Sequence, residues 1–434
     1  MKSRSLHAFV DTVEVGTLSE QGAVWQFEYS QGWLNNPKGF DLSPALPRVQ
    51  IAIKDGSSKR PVQWFFDNLL PEEGARQLLA KDAKVDGADA FALLQHYGAE
   101  SAGSLTLLPQ ATKPDTPGVL KPLPFDALQA RIKKLPNIPL AHGATKKMSL
   151  AGAQHKLAVV LQAGELFEPV GETPSTHILK PNHVDAEYPH SVINEWFTMR
   201  LAKRVGLDVP DVHRLYVPAP VYLVNRFDRL QKGGKVQRRH AIDACQLLGI
   251  DRVFKYSQGS VDALMKLAGQ CRSPAVARTR LFSWLVFNVL VGNSDAHLKN
   301  ISFLVSPGGV QLAPFYDLLS IGVYDSPAFD KNRWPDLTEL AWPIKGASRF
   351  AQATHATLTQ AGETLGLSAN TTTRILQTMR QQLLDQAHSI YKEVEQENQT
   401  LMATRPELAA TFAGELRCLR AIIHSVIQPM CKPS

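Results

Sequence analysis

The chain has 434 residues, of which 44% are hydrophobic and 20% charged. These values are ordinary for a soluble globular protein and exclude a disordered or collagen-like chain. The 47 Lys and Arg residues exceed the 40 Asp and Glu residues, so the formal net charge is +7, which allows an anionic partner without a concentrated basic tail. At about 150 residues per domain, the length predicts two or three domains.

Features of secreted and membrane proteins are not evident. The start, MKSRSLHAFV, has basic residues but no apolar run after them, so we expect no signal peptide. The most apolar stretch, Leu281 to Val291, is about half the length needed to span a bilayer. The four cysteines are too scattered for a disulfide scaffold or a zinc or redox pair, and we interpret them as reduced thiols. We therefore predict a cytoplasmic protein without membrane association.

The N-terminal part is typical of a small α+β unit. Trp25, Phe27 and Tyr29 alternate with polar residues, which is the period of a half-buried strand. A short helix is predicted over Phe91–His96 and a closing strand over Ser104–Leu108. The following residues, 109–125, contain five prolines and predict an extended linker.

The region after the linker begins with strands and becomes helical. Strands are predicted over Leu157–Gln162, Thr176–Lys180 and Val221–Val224. Apolar residues at every fourth position predict a helix over 191–206, with Gly206 as its C-cap. Further helices are predicted over Asp262–Ala268, Val276–Leu290, Leu358–Leu365, Thr372–Val394 and Pro406–Ile427.

The most informative motif is GNSDAHLKN, at residues 292–300. Asp295 and Asn300 have the spacing of the Asp and Asn in the catalytic loop HRDxxxxN of protein kinases. There, the carboxylate orients the attacking hydroxyl and accepts its proton, while the amide oxygen holds Mg²⁺. A polar turn without catalytic function is the alternative interpretation.

Three further residues fit the same chemistry. Asp317 lies in an otherwise apolar stretch, where a carboxylate is costly unless it is paired or holds a metal. Lys180 ends a predicted strand, where it could pair with phosphates, and Glu195 in the next helix could orient it. The alternatives are an N-cap at Asp317, a solvated Lys180 and an ordinary first-turn glutamate. SLAGAQHK (149–156) precedes a strand, as a phosphate loop would, but fits neither common glycine motif.

In this order, the motifs resemble the HipA family of toxin kinases over nearly the whole chain. The matching segments are FFDNLLPEE (65–73), GAESAGSLTLLP (98–109), MSLAGAQHKLAVV (148–160), THILKP (176–181), NEWFTMRLAKRVGLDVPDV (194–212), VNRFDR (224–229), DACQLLG (243–249), GNSDAHLKN (292–300) and LAPFYDLLS (312–320). His155 replaces a usually acidic residue and Asn225 a frequent glutamate. Neither change affects Asp295, Asn300 or Asp317, so we do not predict a pseudokinase.

The resemblance implies an α+β, bilobal protein-kinase-like fold with a small N-terminal α/β subdomain and a mainly helical C-terminal lobe. The implied divisions are an N-terminal subdomain (1–108), a proline-rich linker (109–140), a kinase N-lobe (141–224) and a helical C-lobe (225–434).

The resemblance also implies ATP- and Mg²⁺-dependent phosphorylation of a protein serine or threonine. Asp295 would be the catalytic aspartate, and Asn300 and Asp317 would hold Mg²⁺. The implied nucleotide-binding residues are Ala151, Gly152, Ala153, Gln154, His155, Lys156, Lys180, Glu195, Asn225, Arg226, Phe227, His297, Leu298, Lys299, Asn300, Tyr316 and Asp317. Of these, residues 225–227 would form the hinge beside adenine. Ser149 matches a regulatory serine whose autophosphorylation ejects the phosphate loop and inactivates the kinase.

The implied partners are a HipB-like helix-turn-helix antitoxin, operator DNA bound mainly through that antitoxin, and a protein target. The family's targets include an aminoacyl-tRNA synthetase such as glutamyl-tRNA synthetase. Translation and growth would then be inhibited, and the chain would be a co-repressor with its antitoxin. Two other interpretations are a small-molecule phosphotransferase of kinase-like fold and a non-catalytic subunit that binds antitoxin and DNA.

A basic stretch follows the predicted hinge, with Lys232, Lys235, Arg238 and Arg239. We interpret it as a solvated loop. Contact with the DNA backbone or with an RNA-bound substrate is the alternative.

Overall fold

A computed structural model describes residues 3–111, 117–144, 146, 148 and 150–432. The strands are β1 (Arg4–Val10), β2 (Val13–Gln21), β3 (Val24–Tyr29), β4 (Ala52–Lys54), β5 (Leu105–Leu108), β6 (Val119–Pro122), β7 (Leu157–Gln162), β8 (Glu165–Val170), β9 (His177–Pro181), β10 (Val212–Tyr216), β11 (Pro220–Asn225), β12 (Arg229–Lys232), β13 (Lys235–Arg238), β14 (Ala241–Asp243), β15 (Ser302–Ser306), β16 (Gly309–Leu312), β17 (Glu339–Ile344) and β18 (Ala347–Arg349).

The helices are α1 (Gln31–Leu34), α2 (Pro61–Asp67), α3 (Glu73–Ala83), α4 (Ala90–Tyr97), α5 (Phe125–Ile132), α6 (Ser191–Arg204), α7 (Ala244–Leu248), α8 (Val261–Gln270), α9 (Pro274–Leu290), α10 (His355–Thr364), α11 (Ala369–Met402), α12 (Ala409–Ala421) and α13 (Gln428–Cys431). The chain divides into a first unit, residues 1–181, 223–255 and 302–313, and a second unit, residues 182–222, 256–301 and 314–434.

Antiparallel sheets organise the first unit. One has the strand order β4-β3-β2-β1-β5, and another contains β9-β7-β8-β6. Trp25, Phe27 and Tyr29 are buried on one face of β3, as their alternation predicts. Strands β14, β15 and β16 form a smaller antiparallel sheet.

The predicted proline-rich linker contains regular structure. Strand β6 pairs with β8, and α5 buries Leu128 and joins Arg131 to Glu168 at 2.6 Å. Its prolines are compatible with this arrangement because Pro122 ends an edge strand and Pro124 precedes a helix. The prediction of an extended linker over 109–125 was therefore wrong at β6, and the proline-rich division 109–140 also contains α5.

The basic stretch after the predicted hinge is also structured. Strands β12 and β13 pair as a hairpin, with Lys232 opposite Lys235. Arg238 is directed inwards, 3.7 Å from the carboxylate of Glu100, so it is not a solvated loop residue. Lys232 and Lys235 are exposed, as a solvated loop predicts, but the segment is a hairpin closed by a Gly-Gly turn, and Arg238 departs from the prediction.

The second unit is mainly helical, as the periodicity predicts. Helix α11 is longer than expected, and its buried face repeats at Leu376, Leu383, Ile390 and Val394. The single helix expected over Pro406–Ile427 is instead a 3-10 turn, α12 and a π-helical turn in succession.

The cysteines and the apolar helices bear on the predictions made from composition. Cys245, Cys271, Cys418 and Cys431 are free thiols, as predicted. Within the described ranges, no helix combines the length and apolarity that crossing a membrane requires.

A buried ionic cluster stabilises the first unit around Glu100. Its carboxylate lies 2.7 Å from Lys146, 3.1 Å from Arg229 and 3.4 Å from Arg226. Burial alone would raise the pKa of Glu100, but the surrounding cations hold it well below the usual value. Asp228, which binds Arg226 and Arg229, has a pKa lowered to about 2, although burial opposes the shift.

Replacing Glu100→Gln should therefore destabilise the protein by about 3–5 kcal/mol at neutral pH, because buried cations lose their counter-charge. Urea denaturation measures this loss. Since the folded-state pKa is depressed, the stabilisation is full above the unfolded value of 4.5 and is lost as pH falls through the folded pKa. The free energy of unfolding of Glu100→Gln should lack this acid-dependent contribution.

The matched control is Glu407→Gln, which removes an exposed carboxylate beside Arg405 and should leave the urea midpoint unchanged. A Glu100→Gln protein as stable as the wild type at neutral pH would contradict the proposed role of the cluster.

Candidate active site

The loop Gly292–Asn300, here called the Asp295 loop, follows α9 in the second unit. The Asp295 carbonyl oxygen accepts hydrogen bonds from the His297 backbone N–H at 2.9 Å and from Asn300 Nδ2 at 3.2 Å. The Asp295 backbone N–H donates to Asn293 Oδ1 at 3.2 Å. The five-residue spacing thus closes a turn that brings the Asn300 side chain to Asp295.

Hydrogen bonds from buried side chains determine the position of the Asp295 loop. Asn293 Nδ2 donates to Asn288 Oδ1 at 2.7 Å, and Asn288 Nδ2 donates to the Trp284 carbonyl at 2.8 Å. Trp342, on β17, donates from its indole N–H to the Ala296 carbonyl. Backbone groups of the loop are therefore fixed both from α9 and from β17.

The segment Pro314–Ser320, here called the Asp317 segment, runs beside this loop. Tyr316 Oη donates a hydrogen bond to the Lys299 carbonyl at 2.8 Å. Asp317 is the residue after Tyr316, and Asn300 is the residue after Lys299, so this bond holds the two predicted metal ligands on adjoining segments. Asp317 is half-buried and has a left-handed backbone with φ of 60°. The alternative that Asp317 caps a helix is wrong, because the next helical turn begins only at Gly322.

Glu195 on α6 belongs to the same neighbourhood. It is buried, and burial together with the charges of Glu195 and Asp317 raises the pKa of Tyr222 well above its usual value. The preceding residue, Asn194, donates to the Ser320 carbonyl at 3.0 Å and accepts from the Ser320 N–H at 2.8 Å. Helix α6 therefore holds the Asp317 segment from its other end.

Ala151–Lys156, here called the Gly152 loop, lies in the first unit. Lys156 Nζ donates to the Ala151 carbonyl at 2.6 Å, and Gln154 Nε2 donates to the Pro181 carbonyl at 3.2 Å. The Gly152 carbonyl accepts from the Glu72 N–H at 3.2 Å. Gly152 has φ of 103°, a backbone conformation that favours glycine. Ser149, the predicted autophosphorylation site, lies outside the described residues.

The other nucleotide-binding residues predicted in the first unit differ in what their side chains contact. Lys180 is buried at the end of β9. The Arg226 guanidinium is fully committed to the ionic cluster, with bonds to Asp228 at 2.7 Å and to Ser175 at 2.9 Å. Phe227 packs against a small apolar cluster. A nucleotide could therefore contact Arg226 only through its backbone.

The oxygen donors of the second unit suit a hard cation. Asn300 is buried and contributes an amide oxygen, and Asp317 contributes a carboxylate. Mg²⁺ in nucleotide sites is typically bound by one or two such protein ligands together with phosphate oxygens. The residues present therefore fit Mg²⁺ with a nucleotide, and they would neutralise part of its charge.

Several residues that shape the site were missed from the sequence. Asn194, Asn288 and Asn293 are buried asparagines, and Asn293 lies inside the recognised motif GNSD. Asn194 and Asn288 stand among apolar residues, and this was a usable signal, since an amide buried there must find hydrogen-bond partners. Trp342 is 46 residues from Ala296, and no local pattern connects the two.

The contact from β17 predicts that Trp342→Phe will loosen the Asp295 loop. The substitution removes the indole donor but leaves a ring to pack against Trp284, whose centroid lies 5.5 Å away. Hydrogen exchange in residues 292–300, measured by mass spectrometry, should become faster. The matched control is Trp33→Phe, which removes an indole bond to Phe40 in the first unit. Equal exchange of 292–300 in wild type and Trp342→Phe would contradict this role.

Comparison with known proteins identifies the family. Residues 6–108 match the HipA N-terminal domain, and residues 148–387 match the HipA-like C-terminal domain. A putative kinase, Y4mE of Sinorhizobium fredii, is 40% identical over 310 residues, which are 69% of this chain and 72% of the relative. The serine/threonine-protein kinase toxin HipA of Shewanella oneidensis is 33% identical over 345 residues, 75% of this chain and 77% of the relative.

A solved structure agrees with the sequence comparisons. The HipA chain of the Shewanella oneidensis complex of HipA, HipB and operator DNA has a TM-score of 0.73 and 28% identity. The match covers 98% of this chain and 99% of that chain, and it confirms the predicted α+β fold. The chain therefore belongs to the HipA family of serine/threonine-protein kinase toxins.

Proposed function

We propose that this chain transfers the γ-phosphoryl group of ATP to a serine or threonine of a protein target. Through this activity it would act as the toxin of a toxin–antitoxin pair. The observation that carries the proposal is the arrangement of Asp295, Asn300 and Asp317. Asn300 is bound to the Asp295 carbonyl, and Tyr316 connects the Asp317 segment to the same loop.

Each residue has a distinct part in the proposed transfer. Asp295 orients the acceptor hydroxyl and takes its proton. Asn300 and Asp317 hold Mg²⁺, which when bound neutralises charge on the phosphates. His297, Leu298, Lys299 and Tyr316 line the nucleotide's phosphate end, where Lys299 adds positive charge. Since positioning and charge dominate phosphoryl transfer, the fixed geometry of the Asp295 loop would matter more than covalent chemistry.

The first unit supplies the remaining nucleotide contacts of the proposal. The Gly152 loop and Lys180 are the proposed phosphate contacts in this unit. Asn225, Arg226 and Phe227 contact the adenine through backbone groups, because the Arg226 side chain is committed elsewhere.

The proposed partners are taken from the relatives. A chain of this family has been solved with HipB and operator DNA. By this likeness we propose a HipB-like helix-turn-helix antitoxin, with which the chain acts as co-repressor at operator DNA. The proposed target is an aminoacyl-tRNA synthetase such as glutamyl-tRNA synthetase, so that phosphorylation would inhibit translation. A cytoplasmic location stays a prediction.

Asp295→Asn should reduce phosphate transfer by about 10²–10⁴-fold, because the amide cannot accept the acceptor's proton. The assay follows phosphate incorporated from Mg²⁺ and radiolabelled ATP into the protein itself and into dephosphorylated casein. Thermal melting should show that the variant is folded.

The matched control is Asp336→Asn, which changes an exposed carboxylate of the second unit and should transfer at the wild-type rate. Wild-type activity in Asp295→Asn would refute the assigned role. Absence of transfer by the wild type, with ATP bound, would favour a non-catalytic subunit that binds antitoxin and DNA.

Ser149 is the proposed site of self-limiting autophosphorylation. A phosphate next to the Gly152 loop would add about −1.5 to −2 charge where the nucleotide phosphates are proposed to bind, so it would oppose ATP binding. Intact-mass spectra before and after incubation with Mg²⁺ and ATP should show a phosphate-sized gain in the wild type. The gain should be absent from Asp295→Asn and from Ser149→Ala. Phosphopeptide mapping that finds Ser149 unmodified in an active wild type would count against the switch.

A further inference from the structure

The side chain of Asp295 has a hydrogen-bond donor from outside its own loop. Tyr256 Oη donates to Asp295 Oδ1 at 2.5 Å, which is the short distance of an O–H···O⁻ bond to a charged acceptor. The Tyr256 ring also meets the His297 ring edge to face, with centroids 5.0 Å apart and planes at 78°. A tyrosine 39 residues upstream thus contacts the predicted general base and its neighbour.

The position of Tyr256 is fixed by the strand that also holds the Asp295 loop. The Gly259 N–H donates to the Tyr256 carbonyl at 2.9 Å and closes a turn before α8. A Cβ on Gly259 would lie 3.0 Å from the Tyr256 carbonyl oxygen and 3.3 Å from that of Ala341, so the turn packs closely against β17. From β17, Trp342 donates to the Ala296 carbonyl. The donor and acceptor of the Tyr256–Asp295 bond are therefore both held by β17.

The exposure of Tyr256 argues against a purely structural role. Its side chain is 45% exposed, whereas the tyrosines that build the cores, such as Tyr29 and Tyr97, are almost fully buried. An exposed hydrogen bond contributes little to folding stability, about 1 kcal/mol or less. A partly exposed tyrosine whose hydroxyl donates to the predicted base is better explained by a role in the reaction that this base performs.

We propose that Tyr256 is a positioning residue for Asp295 in phosphoryl transfer, an inference that rests on the proposed kinase function. A carboxylate has two oxygens and several acceptor sites, so a bond to Tyr256 at Oδ1 is compatible with a second one from the acceptor hydroxyl. In the transfer step, the acceptor oxygen bonds to the γ-phosphorus, the bond from that phosphorus to the β,γ-bridging oxygen breaks, and ADP leaves. The acceptor's proton goes to Asp295, and Tyr256 keeps its own proton and is not modified.

The role of Tyr256 is to hold one carboxylate rotamer. Without its hydroxyl, the half-buried Asp295 carboxylate would lose this directional bond and would more often sample orientations that do not face the acceptor. A misplacement of about 1 Å at a reacting group can cost about a hundredfold in rate. Since Tyr256→Phe keeps the ring against His297 and removes only the hydroxyl that bonds Asp295, the loss should fall on turnover and leave ATP affinity unchanged.

The test is Tyr256→Phe, which removes the hydroxyl and keeps the ring against His297. Transfer from Mg²⁺ and radiolabelled ATP to dephosphorylated casein is measured over a range of ATP concentrations. We expect kcat to fall about ten- to a hundredfold while KM for ATP changes less than about twofold. The melting temperature of Tyr256→Phe should equal that of the wild type. If the role of the hydroxyl were merely structural, the substitution would lower the melting temperature instead.

The control is Tyr391→Phe, which removes another hydroxyl of the second unit, bonded to Arg420 at 2.8 Å, and should change neither constant. A Tyr256→Phe enzyme with unchanged kcat would overturn the inference, and one with increased kcat would show instead that the tyrosine blocks the base. In both cases Asp295→Asn still shows its large loss of transfer, so only the inference fails. A wild type that transfers no phosphate, to itself or to casein, removes the proposed function and the inference together.

Discussion

The packing around Trp284 determines the geometry of the candidate active site. Trp284 is fully buried on α9, stacked against Phe315 with centroids 5.9 Å apart and edge to face with Trp342 at 5.5 Å. Phe315 is two residues before Asp317, and Trp342 donates to Ala296 in the Asp295 loop. Because protein interiors are close-packed and transmit small displacements, one aromatic stack sets the positions of both acidic segments.

In the first unit, a buried ionic cluster acts in addition to the apolar core. Glu100 and Asp228 are buried among basic side chains, and Arg226 and Arg229 of the RFDR motif contact both carboxylates. Such a cluster is intolerant of single changes, because each removal leaves a buried charge unbalanced. The motif that contributed to recognition of the family is therefore occupied with folding, which explains why its arginine side chains are not available to a nucleotide.

The sequence was informative where a signal is local. Periodicity predicted β3, β7 and α6 closely, and the spacing of Asp295 and Asn300 predicted a single turn. It failed where the deciding interaction is distant in the chain. Strand β6 exists because it pairs with β8, about fifty residues later, and composition alone suggested a linker. The contact of Trp342 with Ala296 has no local pattern at all, and the same holds for Tyr256 with Asp295.

The side chains of the candidate site are held in position by different interactions. A buried side chain is held mainly by packing, whereas a more exposed one depends on hydrogen bonds. Asn300 is 5% exposed, so packing allows its amide few orientations. Asp295 is half-buried, as the proposed base of a kinase with a protein substrate would be, so packing restricts its side chain less. Its backbone is held by Asn293 and its carboxylate by Tyr256. The proposed base is thus oriented by directional hydrogen bonds, one from Asn293 within the motif and one from Tyr256, which no motif identifies.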